Sequence, residues 1–220
     1  TDVNGRANVH FPDGSVLRLT KDSKIKIEEG SYDPNTEKLT VHVTLLAGKV
    51  WSKIIELATP ESEWEVKTSN AVATVRGTAF GMEFDKTRKS RIIGSEHNVG
   101  VDIIDPKTQR RVRAQVVVGE KKILEIEDAI AEKIAALPEL PETEEITTTA
   151  EAIVFVKDAT KAMLMEEWIV QSEEADSKLR ERIDALKEEG LGGRELRQTI
   201  RQEVFEEFRE EIEVNRMELK

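Results

Sequence analysis

Cysteine is absent from the 220 residues, which excludes disulfide scaffolds, zinc ribbons and thiol nucleophiles. Long apolar runs are absent too. The longest stretch free of Asp, Glu, Lys and Arg is Leu39–Gly48, about half of the roughly 20 residues that a membrane-spanning helix needs. No span is therefore expected in this chain. Histidine is rare. His10, His42 and His97 fall in separate segments without His-x-His or Glu-x-x-His spacing, so they read as surface residues and no metal is expected. There is no Gly-x-Ser-x-Gly elbow, no Gly-x-Gly-x-x-Gly and no phosphate loop. No cofactor and no catalytic machinery are expected. The chain opens at Thr1 on a strand-like segment without an initiator Met, which reads as a cut, with any signal peptide or anchor upstream.

Charge, by contrast, is plentiful. Charged residues make up 35 % of the chain, against about 25 % in ordinary domains. That excess of surface favours an elongated or arm-bearing shape. It is also uneven. Residues 1–126 hold 20 Lys and Arg against 18 Asp and Glu, whereas residues 127–220 hold 13 against 26. The acidic character belongs to the second part alone.

The first part reads as strands. Ala7–Phe11, Ser15–Leu19 and Ser23–Ile27 alternate with period two and are separated by Pro12-Asp13-Gly14 and Lys21-Asp22. Leu39–Leu45 alternates over seven residues with Leu39, Val41, Val43 and Leu45 on one face. Gly48 then interrupts the run before Val50-Trp51, the mark of a bulge or bend. Glu63–Lys67, Ala71–Arg76, Thr78–Phe84, Lys89–Ile93, Asn98–Ile104, Arg111–Val118 and Lys121–Ile126 follow, with turn signals between them. Many short strands at this spacing predict an all-β domain, a β-sandwich or β-roll, over residues 1–126.

The second part reads as helices, which makes the chain α+β by segregated halves. Asp128–Leu137 predicts a short helix, and Pro138–Thr149 an acidic linker, so 127–149 forms one connecting unit. Thr148-Thr-Ala-Glu151 has capping-box spacing and predicts a long helix to about Glu189. Gly190-Leu-Gly-Gly193 stops it, and a last helix starts near Arg194. Residues 150–220 are thus a charged two-helix arm with its break at 190–193. Leu196, Ile200, Val204, Phe208 and Ile212 line one face of the last helix and need a cover. That cover is expected from the facing helix, a protein partner or a second copy, the last making a homo-oligomer.

Two basic clusters fall at hairpin tips. Lys86, Arg88, Lys89 and Arg91 form one, and Lys107, Arg110, Arg111 and Arg113 the other. Side by side they would make an anion patch. Neither holds an aromatic for base stacking, so nucleic acid is not expected. An anionic envelope polymer, or the protein's own acidic helices, fits by charge.

Three pieces then line up in order: Phe11-Pro-Asp-Gly-Ser15-Val-Leu-Arg-Leu19, Leu45-Leu-Ala-Gly-Lys-Val-Trp51, and Val66-Lys-Thr68 with Ala71-Val-Ala-Thr-Val-Arg-Gly-Thr78-Ala-Phe80. Together they resemble the FecR domain family, over about residues 1–126. The resemblance implies an extracytoplasmic all-β domain. In iron-uptake systems this family relays signals from an outer-membrane receptor to a cytoplasmic sigma factor, and elsewhere it occurs in envelope and surface proteins. The helical arm does not resemble the receptor-docking region of the iron regulators. The main expectation is therefore a non-enzymatic envelope or surface scaffold that binds a partner or itself. The alternative is an FecR-type signal transducer that self-cleaves at Gly77-Thr78, the Thr78 hydroxyl attacking the Gly77 carbonyl. Family members usually have further strands before the position of Thr1, so an open edge is expected there.

Overall fold

Period-two alternation of β-branched and other apolar residues with polar ones commits residues 7–127 to strands, each with one face for a core. The structure is a computed structural model and describes residues 1–55, 59–136, 156–203 and 206. β1 (Ala7–His10) and β2 (Val16–Leu19) form a hairpin across Asp13-Gly14. β3 (Lys24–Asp33) and β4 (Lys38–Lys53) form a longer one, with register shifts at Lys24/Ile25 and Ile27/Glu29.

β4 belongs to two sheets. Residues up to Ala47 pair with β3 and with β5 (Glu63–Lys67), the latter in parallel. From Gly48 onward β4 pairs with β7 (Ala79–Phe84), and from Val50 also with β2. The corner sits at Gly48, whose φ is +90°. A Cβ there would lie 2.4 Å from Ser23 Oγ and 2.5 Å from Ser23 Cα. Only glycine lets the strand bend this tightly against its neighbour.

One sheet thus runs β1-β2-β4-β7-β8-β11-β12, with β8 (Lys89–Gly94), β11 (Lys122–Glu127) and β12 (Val156–Asp158). The other runs β3-β4-β5-β6-β9-β10, with β6 (Ala71–Val75), β9 (Val99–Ile104) and β10 (Arg111–Val118). One apolar cluster joins their inner faces. It holds Leu17, Val50, Phe80, Met82 and Leu124 from the first sheet, and Leu39, Val43, Trp64, Val101 and Val118 from the second. α1 (Asp128–Ala135) closes one end with Ala131 and Ile134. The chain is an all-β sandwich followed by an α-helical C-terminal region.

Among the described residues, the long helix predicted to run to about Glu189 is interrupted. Its expected capping box lies outside the described residues. Val156–Asp158, expected within a helix, is strand β12 on the edge of β11, where its backbone groups find partners that a helix start would leave to solvent. α2 (Lys161–Leu164) is a single turn capped by the Thr160 hydroxyl, which accepts from Met163 N at 3.3 Å. α3 (Glu167–Glu188) then crosses the outer face of the first sheet. Gly190, at φ +93°, ends the turn after it. Residues 193–203 form α4.

Candidate functional site

Along the second half of β4, Lys49, Trp51 and Lys53 all point away from the main core, toward the arm. Each engages a group that belongs to, or is held by, α3. Opposite Trp51, β7 carries Gly81. Its missing side chain makes a notch, since a Cβ there would lie 2.5 Å from Cη2 of Trp168. Trp168 fills the notch and meets Trp51 edge to face, with ring centres 6.0 Å apart at 80°. Ala79, Ile93, Ile123 and Ile169 are the other buried members of this second apolar cluster.

Two carboxylates hold the helix down. Asp176, only 1 % exposed, accepts from Trp51 Nε1 at 2.8 Å and from the Arg18 guanidinium at 2.6 Å. Burial pushes its carboxyl above the ordinary range, and Arg18 and Trp51 offset that only in part. Glu166 accepts the Arg91 fork at 2.7 and 2.9 Å, Lys49 Nζ at 3.0 Å and Trp168 Nε1 at 2.8 Å. Burial would raise it, but these donors prevail and hold it at about 2. Farther along, Ser95 donates to Glu173 at 2.8 Å, and Glu96 takes both Lys53, at 2.5 Å, and Arg180.

The motif turns lie beside this face. The Asp13 carboxylate accepts from Ser15 N at 2.9 Å and Ser15 Oγ at 2.6 Å, and Ser15 Oγ accepts from Ile55 N at 3.1 Å. Gly14, at φ +90°, faces Ile55 and Ile200. Arg76 donates to the carbonyls of Pro60, at 2.6 Å, and Thr59, at 3.2 Å. Gly77 has φ +143°. Thr78 is buried and its hydroxyl donates to the Glu96 carbonyl. A carbonyl accepts a hydrogen bond but does not take the proton away, so this contact anchors the turn and does not activate Thr78 as a nucleophile.

The predicted partner stripe divides. Leu196 and Ile200 are buried against Leu186, with Leu179, Ile183, Leu191 and Ile55 around them. Their cover is the chain's own α3 and sandwich, so they present no surface to another copy. Val204, Phe208 and Ile212 lie outside the described residues. Arg197 binds Glu37 at 2.6 Å and Arg194 the Pro34 carbonyl at 2.8 Å, which seats α4 on the β3–β4 turn.

The predicted anion patch is largely neutralised from within. Arg88 pairs with Asp128, Lys89 with Glu125 at 2.8 Å, Arg91 with Glu83 and Glu166, Lys107 with Glu132 at 2.8 Å, and Arg111 with Glu65 at 2.5 Å. Lys86 and Arg110 are exposed, and the Arg113 side chain lies outside the described residues. Among the described residues, no three or more His, Asp or Glu gather as metal ligands. Sequence reasoning missed Arg18, Gly81, Glu166, Trp168 and Asp176. The available signals were a glycine inside an apolar strand and an acid on the apolar line of α3.

Comparison with known proteins adds a family. Residues 1–96 match the family model described as FecR protein. No curated protein matches the chain. Two crystal structures described as a putative anti-sigma factor from Parabacteroides distasonis ATCC 8503, at 2.50 and 1.65 Å resolution, are similar to it, each with a TM-score of 0.47. Their identities are 12 % and 11 %, over 72 % of this chain and 58 % of theirs, so the chain spans less than two thirds of their length. The family match overturns the expected envelope scaffold. It favours the transducer that stood as the alternative. The motifs of the Asp13-Gly14 hairpin, the Gly48 bend and the Arg76–Thr78 turn all fall inside residues 1–96, the segment that is similar to the FecR family.

Proposed function

We propose that the protein is an FecR-type signal transducer, a non-enzymatic extracytoplasmic domain that passes a protein-binding event to a sigma-factor system. The observation that carries this reading is the FecR match over residues 1–96, which contains all three motifs. The charge layout agrees with a protein partner. The tip cations are spent on internal carboxylates, which leaves little for an anionic polymer. The Thr78 contact is that of a structural anchor, so the relay proposed here proceeds without cleavage at Gly77-Thr78.

Deletion and overproduction of the protein in the bacterium that encodes it, followed by transcript measurement, test the reading. A transducer shifts a coherent set of promoters sharing one recognition sequence. Unchanged transcripts in both strains would overturn it. Release of the protein from spheroplasts ahead of a cytoplasmic marker tests the compartment.

A further inference from the structure

The seam under α3 differs from an ordinary helix–sheet contact. Its buried line is Ile169, Ser172, Asp176 and Leu186, so a hydroxyl and a carboxylate occupy positions where apolar residues would hold harder. The sheet side is matched to them: Arg18 and Trp51 Nε1 for one carboxylate, Arg91 and Lys49 for another, and the Gly81 notch for an aromatic ring. Polar groups in such a seam fix register and partner at a cost in strength.

We propose that α3 is an exchangeable strap over a helix-docking groove on the outer face of the first sheet, and that an acidic amphipathic helix of a partner protein takes its place. The chain's own helix supplies the template. The incoming helix carries a glutamate, an aromatic and a second carboxylate spaced as Glu166, Trp168 and Asp176 are. Charge complementarity selects it, because the groove's cations Arg18, Lys49, Lys53 and Arg91 outnumber its carboxylates Glu83 and Glu96. The strap also reaches the Thr78 turn, because its Arg180 pairs with Glu96, whose carbonyl accepts from the Thr78 hydroxyl. This inference rests on the transducer reading for the source of the partner, whereas its test reads the exchange alone.

The probe is a dye-labelled synthetic peptide of residues 160–190, added to the full chain and followed by fluorescence anisotropy. Asp176→Ala in the chain loosens the resident helix and leaves Arg18 and the Trp51 N–H open to the peptide's own Asp176. This variant is expected to bind the peptide at least ~10-fold more tightly than the unchanged chain. Trp168→Ala or Asp176→Ala in the peptide removes the gain. Equal affinity in the two chains, or a gain that survives both peptide changes, would overturn the proposal. Glu166→Gln in the chain loosens the other end of α3 without opening a buried site, and is expected to fall between the two. If it binds no better than the unchanged chain, the groove is not the determinant. A concentration-dependent mass increase of the Asp176→Ala chain, seen by light scattering without peptide, would assign the second occupant to another copy and overturn the partner helix. A protein that shifts its promoters yet binds no peptide keeps the relay and loses the groove.

Discussion

Val50 and Trp51 are neighbours on β4 and face opposite ways. Val50 enters an apolar cluster in which Leu17, Phe80, Met82 and Trp64 are almost wholly covered. Trp51 enters a seam where its own N–H binds a buried carboxylate and a guanidinium stands beside it. The same strand thus holds one layer by area removed from water and the other by geometry. Hydrophobic burial has no direction, whereas Asp176 accepts only from donors placed as Arg18 and Trp51 are. The inner layer is built to persist, the outer one to recognise.

Breaking each side separates the two. Phe80→Ala, in the main core, is expected to cost about 3–5 kcal/mol and to unfold the whole protein earlier in urea. Asp176→Ala is expected to cost roughly 3 kcal/mol, because it strands Arg18 and the Trp51 N–H. Its signature is local: hydrogen exchange should quicken in α3 while β7 and β8 stay protected. Exchange quickening equally in the sandwich would erase the distinction. Replacing Arg18 and Asp176 together by Leu should recover much of the loss, since an apolar pair needs no partner.

Acid sharpens the same comparison. Glu166 is held at about 2, below its ordinary 4.5. A depressed carboxyl contributes stability that is complete above its unfolded value and lost as pH falls toward the folded one. Asp176 is shifted upward by burial, so its protonation on acidification relieves a cost and acts in the opposite sense. The net loosening of α3 is therefore expected between 4.5 and about 2. Glu166→Gln should flatten that part of the profile, as followed by Trp168 fluorescence. The smallest effect belongs to Thr78→Ala. It removes one hydroxyl donor to the Glu96 carbonyl and should cost about 1 kcal/mol, read as a lower urea midpoint. The band pattern on a denaturing gel should not change, and fragments that disappear with the substitution would restore self-cleavage.

The sandwich was legible because its signals are local. Leu39, Val41, Val43 and Leu45 alternate within one strand, and Gly48 announces its own bend. The arm was legible as amphipathic helices but not as a docked strap. Asp176 sits among many acids of the second half, and its place on the apolar line of α3 is a faint local sign that names no partner. What makes it special is Arg18, which lies 158 positions away. The basic tips misled for the same reason. Their neutralising partners Asp128 and Glu132 belong to α1, and only the fold brings them over. Val156–Asp158 misled because a three-residue edge strand carries too short a pattern to compete with a helix-start signal upstream.

The corner at Gly48 has one more consequence. Because a single unbroken backbone serves both layers, the layers cannot slide past one another without tearing β4 from a neighbour. Any pull exerted on the strap at Lys49, Trp51 or Lys53 travels along covalent bonds into the Leu39–Leu45 stretch and reaches the far layer as a displacement of the main chain.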